Sequence, residues 1–268
     1  MLRISKKKTR LGEGISVGTK NHDIFWVDID SNAVFWKSGQ DSVPIEYNKW
    51  SLPSCTFQGN DEWVFIAHAG GIDRFNKGSQ ISEHCISWFD SSSGLRCNDG
   101  TMDAYGNIWI STMSIEHTVG HGSIWFWDKK SNPRLILDSL TIPNSIAVDT
   151  KNRKIFIGDS HIGEIQVADL DYIAMESFEF KTFLPSQTSL GTPDGSTLDK
   201  FGNLWNTRWD GSSIIRINRG GEIEKTIKLN FSRPTSCALD YEQSHIYVTS
   251  ALQPNEVQSG HTFQIPLS

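Results

Sequence analysis

Six copies of one short aromatic or aliphatic strand signal run along this 268-residue chain, and their spacing leaves few folds open. The copies read Asp23-Ile-Phe-Trp-Val-Asp28, Glu62-Trp-Val-Phe-Ile-Ala67, Gly106-Asn-Ile-Trp-Ile-Ser111, Lys154-Ile-Phe-Ile-Gly-Asp159, Gly202-Asn-Leu-Trp-Asn-Thr207 and Ser244-His-Ile-Tyr-Val-Thr249. Taking Trp26, Phe65, Trp109, Phe156, Trp205 and Tyr247 as equivalent gives steps of 39, 44, 47, 49 and 42 residues, the length of one propeller blade. A second strand signal follows each copy after a short polar turn: 33–36, 72–75, 123–127, 164–168, 213–217 and 262–266. Most copies continue into a third apolar stretch, as at 134–137, 178–183 and 223–229. With one strand ahead of each turn, this predicts an all-β, six-bladed β-propeller of four-stranded blades around a channel. Amphipathic helical periodicity is missing, and 22 Gly and 9 Pro punctuate the chain at turns. The repeats run from end to end, so residues 1–268 are expected to form one domain.

The last copy is short, with one strand signal after that of Tyr247. The first ten residues, in which Leu2 and Ile4 alternate, are predicted to supply its missing outer strand. Ten Trp provide large aromatic surfaces to bury between blades. The net charge of −6 argues against nucleic acid or an anionic membrane as partner. Lys6-Lys7-Lys8 reads as a solvated edge. No apolar run approaches the ~20 residues of a membrane helix, and no signal-peptide segment stands at the N-terminus, so a cytoplasmic protein is expected. The four cysteines, Cys55, Cys85, Cys97 and Cys237, form no CxxC pair and read as reduced, buried thiols.

Equivalent residues of different blades sit at equivalent heights in a propeller, and one such position is unusually polar. It lies 11 to 13 residues before the aromatic, where each innermost strand begins, and holds Glu13, Ser54, Asn98, Asn144, Asp194 and Thr235 or Ser236. Two carboxylates and two amides converging on one end of a channel suit a hard divalent cation, since carboxylates bring charge and amide oxygens add coordination without repulsion. The same groups could instead cap strand ends and hold channel waters, because Asn and Asp are ordinary turn residues.

Leu11-Gly-Glu-Gly14, Arg96-Cys-Asn-Asp-Gly100, Asp103-Ala-Tyr-Gly-Asn-Ile-Trp109 with Thr112-Met113, Pro143-Asn144, Thr192-Pro-Asp-Gly195 and Pro234-Thr-Ser-Cys237 follow one another in register. Together they resemble the senescence marker protein, regucalcin and gluconolactonase family. The resemblance implies a six-bladed propeller that hydrolyses a sugar lactone with one divalent metal, whether Ca, Mg, Mn, Fe(II) or Zn. It places the metal ligands on Glu13, Asn144 and Asp194, and substrate contacts on Arg96, Asn98 and Glu116. Ile15 stands where the family has proline, Ser145 where it has glycine after the asparagine, and the last blade is abbreviated.

Other motifs point elsewhere. Gly14-Ile-Ser16-Val-Gly18 matches a nucleophile elbow, but an elbow needs a strand–turn–helix setting, and His68-Ala-Gly-Gly71, which resembles an oxyanion motif, follows it instead of preceding it. His117 and His121 have i, i+4 spacing, yet Gly120 and Gly122 argue for a loop. Trp127-Asp128 and Trp209-Asp210 fall at different blade positions and read as chance. The expected chemistry is water attack on a lactone carbonyl, with Asp194 as first choice for general base and Asp99 in reserve. A cation-holding interaction module and a paraoxonase-like esterase are the rival readings.

Overall fold

Strands form here because their side chains are needed on both faces. In 24–28, Ile24 and Trp26 join one apolar cluster while Phe25 and Val27 join another, and every residue of the segment is buried. A run apolar at every position thus satisfies period-2 alternation twice, once toward each neighbouring blade.

The result is six four-stranded antiparallel sheets, the blades of a six-bladed β-propeller. A short β1 (Leu2–Arg3) comes first. Blade one is β2 (Gly12–Val17), β3 (Ile24–Asp28), β4 (Ala33–Lys37) and β5 (Ile45–Tyr47); blade two is β6 (Cys55–Gln58), β7 (Trp63–His68), β8 (Gly71–Asn76) and β9 (Ser82–Ile86). Blade three is β10 (Leu95–Met102), β11 (Ile108–Ser114), β12 (Gly122–Trp127) and β13 (Arg134–Leu140); blade four is β14 (Pro143–Asp149), β15 (Lys154–Asp159), β16 (Glu164–Asp169) and β17 (Lys181–Leu184). Blade five is β18 (Thr192–Leu198), β19 (Leu204–Trp209), β20 (Ser213–Ile217) and β21 (Ile223–Lys228), and blade six is β22 (Pro234–Leu239), β23 (His245–Ser250) and β24 (Phe263–Pro266) with β1. The computed structural model describes residues 1–18, 22–39, 42–59, 62–87, 89, 92–172 and 178–267.

The chain forms two compact units: residues 1–97 with 230–268, and residues 98–229. In the first, Phe25, Val27 and Tyr47 pack against Val64, Ile66 and Phe75, and Trp26 and Phe35 share a cluster with Tyr247. In the second, Trp109, Ile124 and Phe126 pack with Ile155 and Ile157, while Phe156 and Ile165 pack with Leu204, Ile215 and Ile217. Hairpins inside the blades turn on one recurring device. Asp103 accepts the amides of Tyr105 and Asn107, and Asp199 accepts those of Phe201 and Asn203. Gly106 and Gly202 take the left-handed φ of +80° and +81° that such turns demand.

The expected closure of blade six is present. β1 pairs antiparallel with β24, Leu2 opposite Gln264 and Arg3 opposite Phe263, and the Ile4 amide donates to the Thr262 carbonyl at 2.9 Å. Two details differ from expectation there and in blade four. Leu2 is 63% exposed, so Ile4 is the residue of the pair that reaches an apolar cluster. In 178–183 the strand begins only at Lys181; Phe178 and Phe180 stack on each other, centroids 5.8 Å apart, against the Trp109 cluster. Cys55, Cys97 and Cys237 are buried free thiols as expected, whereas Cys85, on the outermost strand of blade two, is only half-buried. Among the described residues no helix is long and apolar enough to cross a membrane.

Candidate active site

The first strands of four blades slip register near their start, between Glu13 and Ser16 in β2, Asn144 and Ala147 in β14, Pro193 and Ser196 in β18, and Pro234 and Cys237 in β22. Such a bulge breaks side-chain alternation and re-aims the residue beside it. Three of the four fall on or beside a residue expected to bind metal. In β2 the bulge needs glycine: Gly14 has φ +54°, and a Cβ there would lie 2.3 Å from both Cys55 Cα and the Ser54 carbonyl oxygen. In β14 the same conformation is held by a serine, Ser145, at φ 57°.

In the second unit the bulges are tied together by polar side chains. Asn98 Nδ2 donates to Asn144 Oδ1 and to the Pro143 carbonyl, both at 3.0 Å. Asn144 Nδ2 donates to Ser160 Oγ at 2.8 Å, whose hydroxyl donates to the Pro193 carbonyl at 2.6 Å. Ser145 Oγ donates to the Asp194 carbonyl at 2.6 Å, and Asn206 Nδ2 reaches that carbonyl at 2.9 Å and Ser145 Oγ at 3.0 Å. Asn98, Asn144 and Asp194, which the sequence placed on three different blades, thus belong to one network, and the last two are buried. The network also fixes which way the Asn144 amide faces, because its nitrogen must point at Ser160. One lone pair of Oδ1 accepts from Asn98 and a second remains. A carboxylate and an oriented amide oxygen are donors that a hard divalent cation accepts, so the residues present fit such an ion.

Asp99 lies beside this network in a different role. Its carboxylate accepts the amide of Ile146 at 2.9 Å and that of Ser145, both at the β14 bulge, and the amide of Gly100 on its own strand. Burial raises its pKa to about 6 even though these bonds pull the other way. Glu116 is exposed on the turn after β11, where its amide bonds Ser114 Oγ at 3.2 Å. In the first unit, Arg96 is buried with one guanidinium nitrogen on the Cys97 carbonyl at 2.9 Å, and Glu13 is half-buried next to the Gly14 bulge.

Two buried polar residues escaped the sequence reading. Asn206 and Arg208, both 0% exposed, stand in β19 where the equivalent positions hold Ile110 and Thr112 in β11 and Ile157 and Asp159 in β15. That register comparison was the available signal. Arg208 donates to the carbonyls of Gly191 at 2.6 Å and Leu190 at 3.3 Å and to Asn206 Oδ1 at 3.1 Å. Burial lowers its pKa to about 10, opposed by the charge of Asp194, so it stays a cation at neutral pH.

The motifs set aside on sequence grounds have the expected settings. Ser16 lies within β2, its Oγ 2.7 Å from Thr56 Oγ1, and no helix follows. His117 and His121 lie in the loop between β11 and β12. In blade two, His68, Asp73 and His84 gather their donor atoms within 4.8 Å. The Gly70 amide donates to His68 Nδ1 at 3.0 Å, so the neutral ring carries its proton on Nε2 and presents no lone pair there. The group reads as a hydrogen-bonded cluster around Asp73.

Comparison with known proteins agrees with this architecture. An L-arabinolactonase of Azospirillum brasilense is 26% identical over 92% of this chain and 83% of its own. A pentonolactonase of Haloferax volcanii is 22% identical over 93% of this chain and 84% of its own. The solved structure of a calcium-binding protein, regucalcin, from Agrobacterium tumefaciens superposes with a TM-score of 0.91 at 22% identity, covering 98% of this chain and 92% of that one. The model of the SMP-30/gluconolactonase/LRE-like region matches residues 11–252, and the chain belongs to that family.

Proposed function

We propose that the protein hydrolyses a sugar lactone to its aldonic acid with one divalent cation, held by Glu13, Asn144 and Asp194. The observation that carries this is the network joining Asn98, Asn144 and Asp194, which orients the Asn144 amide oxygen and anchors the backbone that carries the Asp194 carboxylate on adjacent strand starts. Relatives named for arabinolactone and pentonolactone hydrolysis support the substrate class, and a calcium-binding neighbour of the same fold supports the ion.

When bound, the cation supplies Lewis-acid polarisation of the lactone carbonyl and charge for the developing oxyanion. The chain's residues do the rest. Arg96 and Asn98 hold substrate oxygens through N–H donors, and Glu116 accepts from a hydroxyl at the exposed edge. Asp194 takes the proton of the attacking water on an oxygen not engaged with the ion. The ester C–O bond of the ring then breaks, the ring oxygen takes up a proton, and the product is an open-chain hydroxy acid. Asp99, whose carboxylate is engaged with the β14 amides, is the second candidate for the proton.

Protein dialysed against chelator is to be assayed for acid release from gluconolactone, arabinolactone and xylonolactone, with Ca²⁺, Mg²⁺, Mn²⁺, Fe²⁺ or Zn²⁺ restored in turn. Glu13→Gln, Asn144→Ala and Asp194→Ala should each weaken cation binding by calorimetry and leave the circular dichroism of a β-protein intact. Release no faster than the spontaneous rate with every ion would remove the enzyme reading. Faster turnover of aryl esters than of lactones would favour an esterase instead.

A further inference from the structure

Blade two lines up an acid, a base and a nucleophile. His84 Nδ1 lies 2.9 Å from Asp73 Oδ1, and His84 Nε2 lies 2.9 Å from Ser87 Oγ. Asp73 Oδ2 accepts from Trp50 Nε1 at 2.8 Å and from Ser82 Oγ at 3.2 Å, and Oδ1 has His68 Nε2 at 3.2 Å, so the carboxylate is held from several sides. An ionised carboxylate only accepts, so the neutral His84 ring carries its proton on Nδ1 and turns the Nε2 lone pair toward Ser87. Ser87 Oγ is also 2.6 Å from the Gly70 carbonyl oxygen. Rotation about its Cβ–Oγ bond alone swings the hydroxyl proton from that oxygen to Nε2. Burial falls along the row: the Asp73 side chain is 16% exposed and that of His84 53%, and Ser87 is open to solvent.

Two backbone features assemble the row. Residues 84 and 87 would point to opposite faces of a regular strand, but β8 and β9 slip register between Ile72 and Asp73, which breaks the alternation. Gly71, at φ +128°, lets the end of β9 close on the turn after β7, since a Cβ there would run into the Ile86 carbonyl. A nucleophile within hydrogen-bond reach of a base, with the base oriented by a third group, is the arrangement that activates a serine. We propose that Ser87, His84 and Asp73 form a second reactive site, on the rim of blade two, that accepts acyl groups from small activated esters. Ser87 Oγ attacks the acyl carbon as its proton passes to His84 Nε2. The C–O bond to the leaving alcohol breaks, that oxygen takes the proton back from Nε2, and water then releases the acid from Ser87 by the same route.

This site does not rest on the lactonase reading, and chelator-treated protein tests it. A fluorophosphonate probe should form an adduct on Ser87, located by peptide mass spectrometry: the Oγ–P bond forms, the P–F bond breaks, and fluoride leaves with the hydroxyl proton. Ser87→Ala should lose the adduct. His84→Ala should slow its formation at least about 100-fold, the usual worth of a general base, and Asp73→Asn at least about 10-fold, because an amide no longer selects the tautomer. If His84→Ala is unfolded by circular dichroism, His84→Gln takes its place. Turnover of 4-nitrophenyl acetate should fall in Ser87→Ala, while lactone hydrolysis with cation restored stays at the parent rate. No adduct on Ser87 in folded parent would overturn the proposal. So would an adduct that forms as fast without the His84 imidazole, which would make Ser87 an ordinary exposed hydroxyl. A parent that is labelled at Ser87 but hydrolyses no lactone with any cation would remove the lactonase reading and uphold this site; lactone hydrolysis without labelling would do the reverse.

Discussion

Ser145 shows how one side chain can hold both a backbone and a site. A non-glycine residue in the left-handed region costs of order 1–2 kcal/mol, and glycine would avoid that cost. What offsets it is the pair of bonds its Oγ makes in a fully buried position, to the Asp194 carbonyl and from Asn206. Ser145→Ala keeps the strained φ and loses the bonds, so it should destabilise by about 1–3 kcal/mol in urea unfolding. Ser145→Gly loses the bonds but also the strain and should be milder. An alanine variant as stable as the glycine variant would show that the hydroxyl contributes nothing. The presence of serine in place of glycine was visible in the sequence, but its φ and its partner were not, because both depend on a bulge. Arg208 was hidden for a related reason: between Trp205 and Trp209 a polar residue reads as the solvent face of an alternating strand, and only comparison with the other blades shows that this face is buried.

At the scale of strands and turns, far more was legible. Asp-x-x-Gly-Asn at 103–107 and 199–203 builds its own turn from local bonds, so nothing distant is needed to predict it. Strand starts that carry bulges were legible as polar positions but not as bulges. The cross-strand pair Asp73 and His84 was missed altogether, since nothing in 73–84 announces that β8 and β9 bring them opposite. Burial of the Asp73 carboxylate favours its neutral form, but hydrogen bonds with His68, His84 and Trp50 outweigh this and hold its pKa well below the usual carboxylate range. A depressed folded-state pKa gives stability that is fully present above the unfolded value near 4 and is lost as pH falls from there through the lower folded-state value. Tm should therefore drop from about pH 5 downward less steeply in Asp73→Asn than in the parent, although the variant starts lower at pH 7. Parallel Tm–pH curves would place the acid sensitivity elsewhere.

For the molecule as a whole, the repeat count and the missing strand of the last copy pointed to the right solution. Residues 1–11 are laced into the first unit at several points: β1 on β24, Thr9 N–H to the Gly260 carbonyl at 2.7 Å, Leu252 N–H to the Arg10 carbonyl at 2.9 Å, and the amides of Arg10 and Leu11 to Asp28. Removing residues 1–10 strips all of those bonds except that of Leu11 and bares the edge of β24. The truncated protein should melt at least about 5 °C lower, by the loss of a few kcal/mol spread over a chain of this size, and should aggregate more readily. A melting temperature within about a degree of the parent would show that the segment is a tail.

The pairing of Leu2 with Gln264 also sets an order of events during synthesis. A ribosome makes β1 some 260 residues before its partner β24, which at ~5–20 residues per second is a wait of roughly ten to fifty seconds. Through that interval residues 1–10 have no β24 to pair with, and blade six can be completed only after β24 has been made. Assembly of this protein should accordingly show a late step, one that a nascent chain stalled before β24 never reaches.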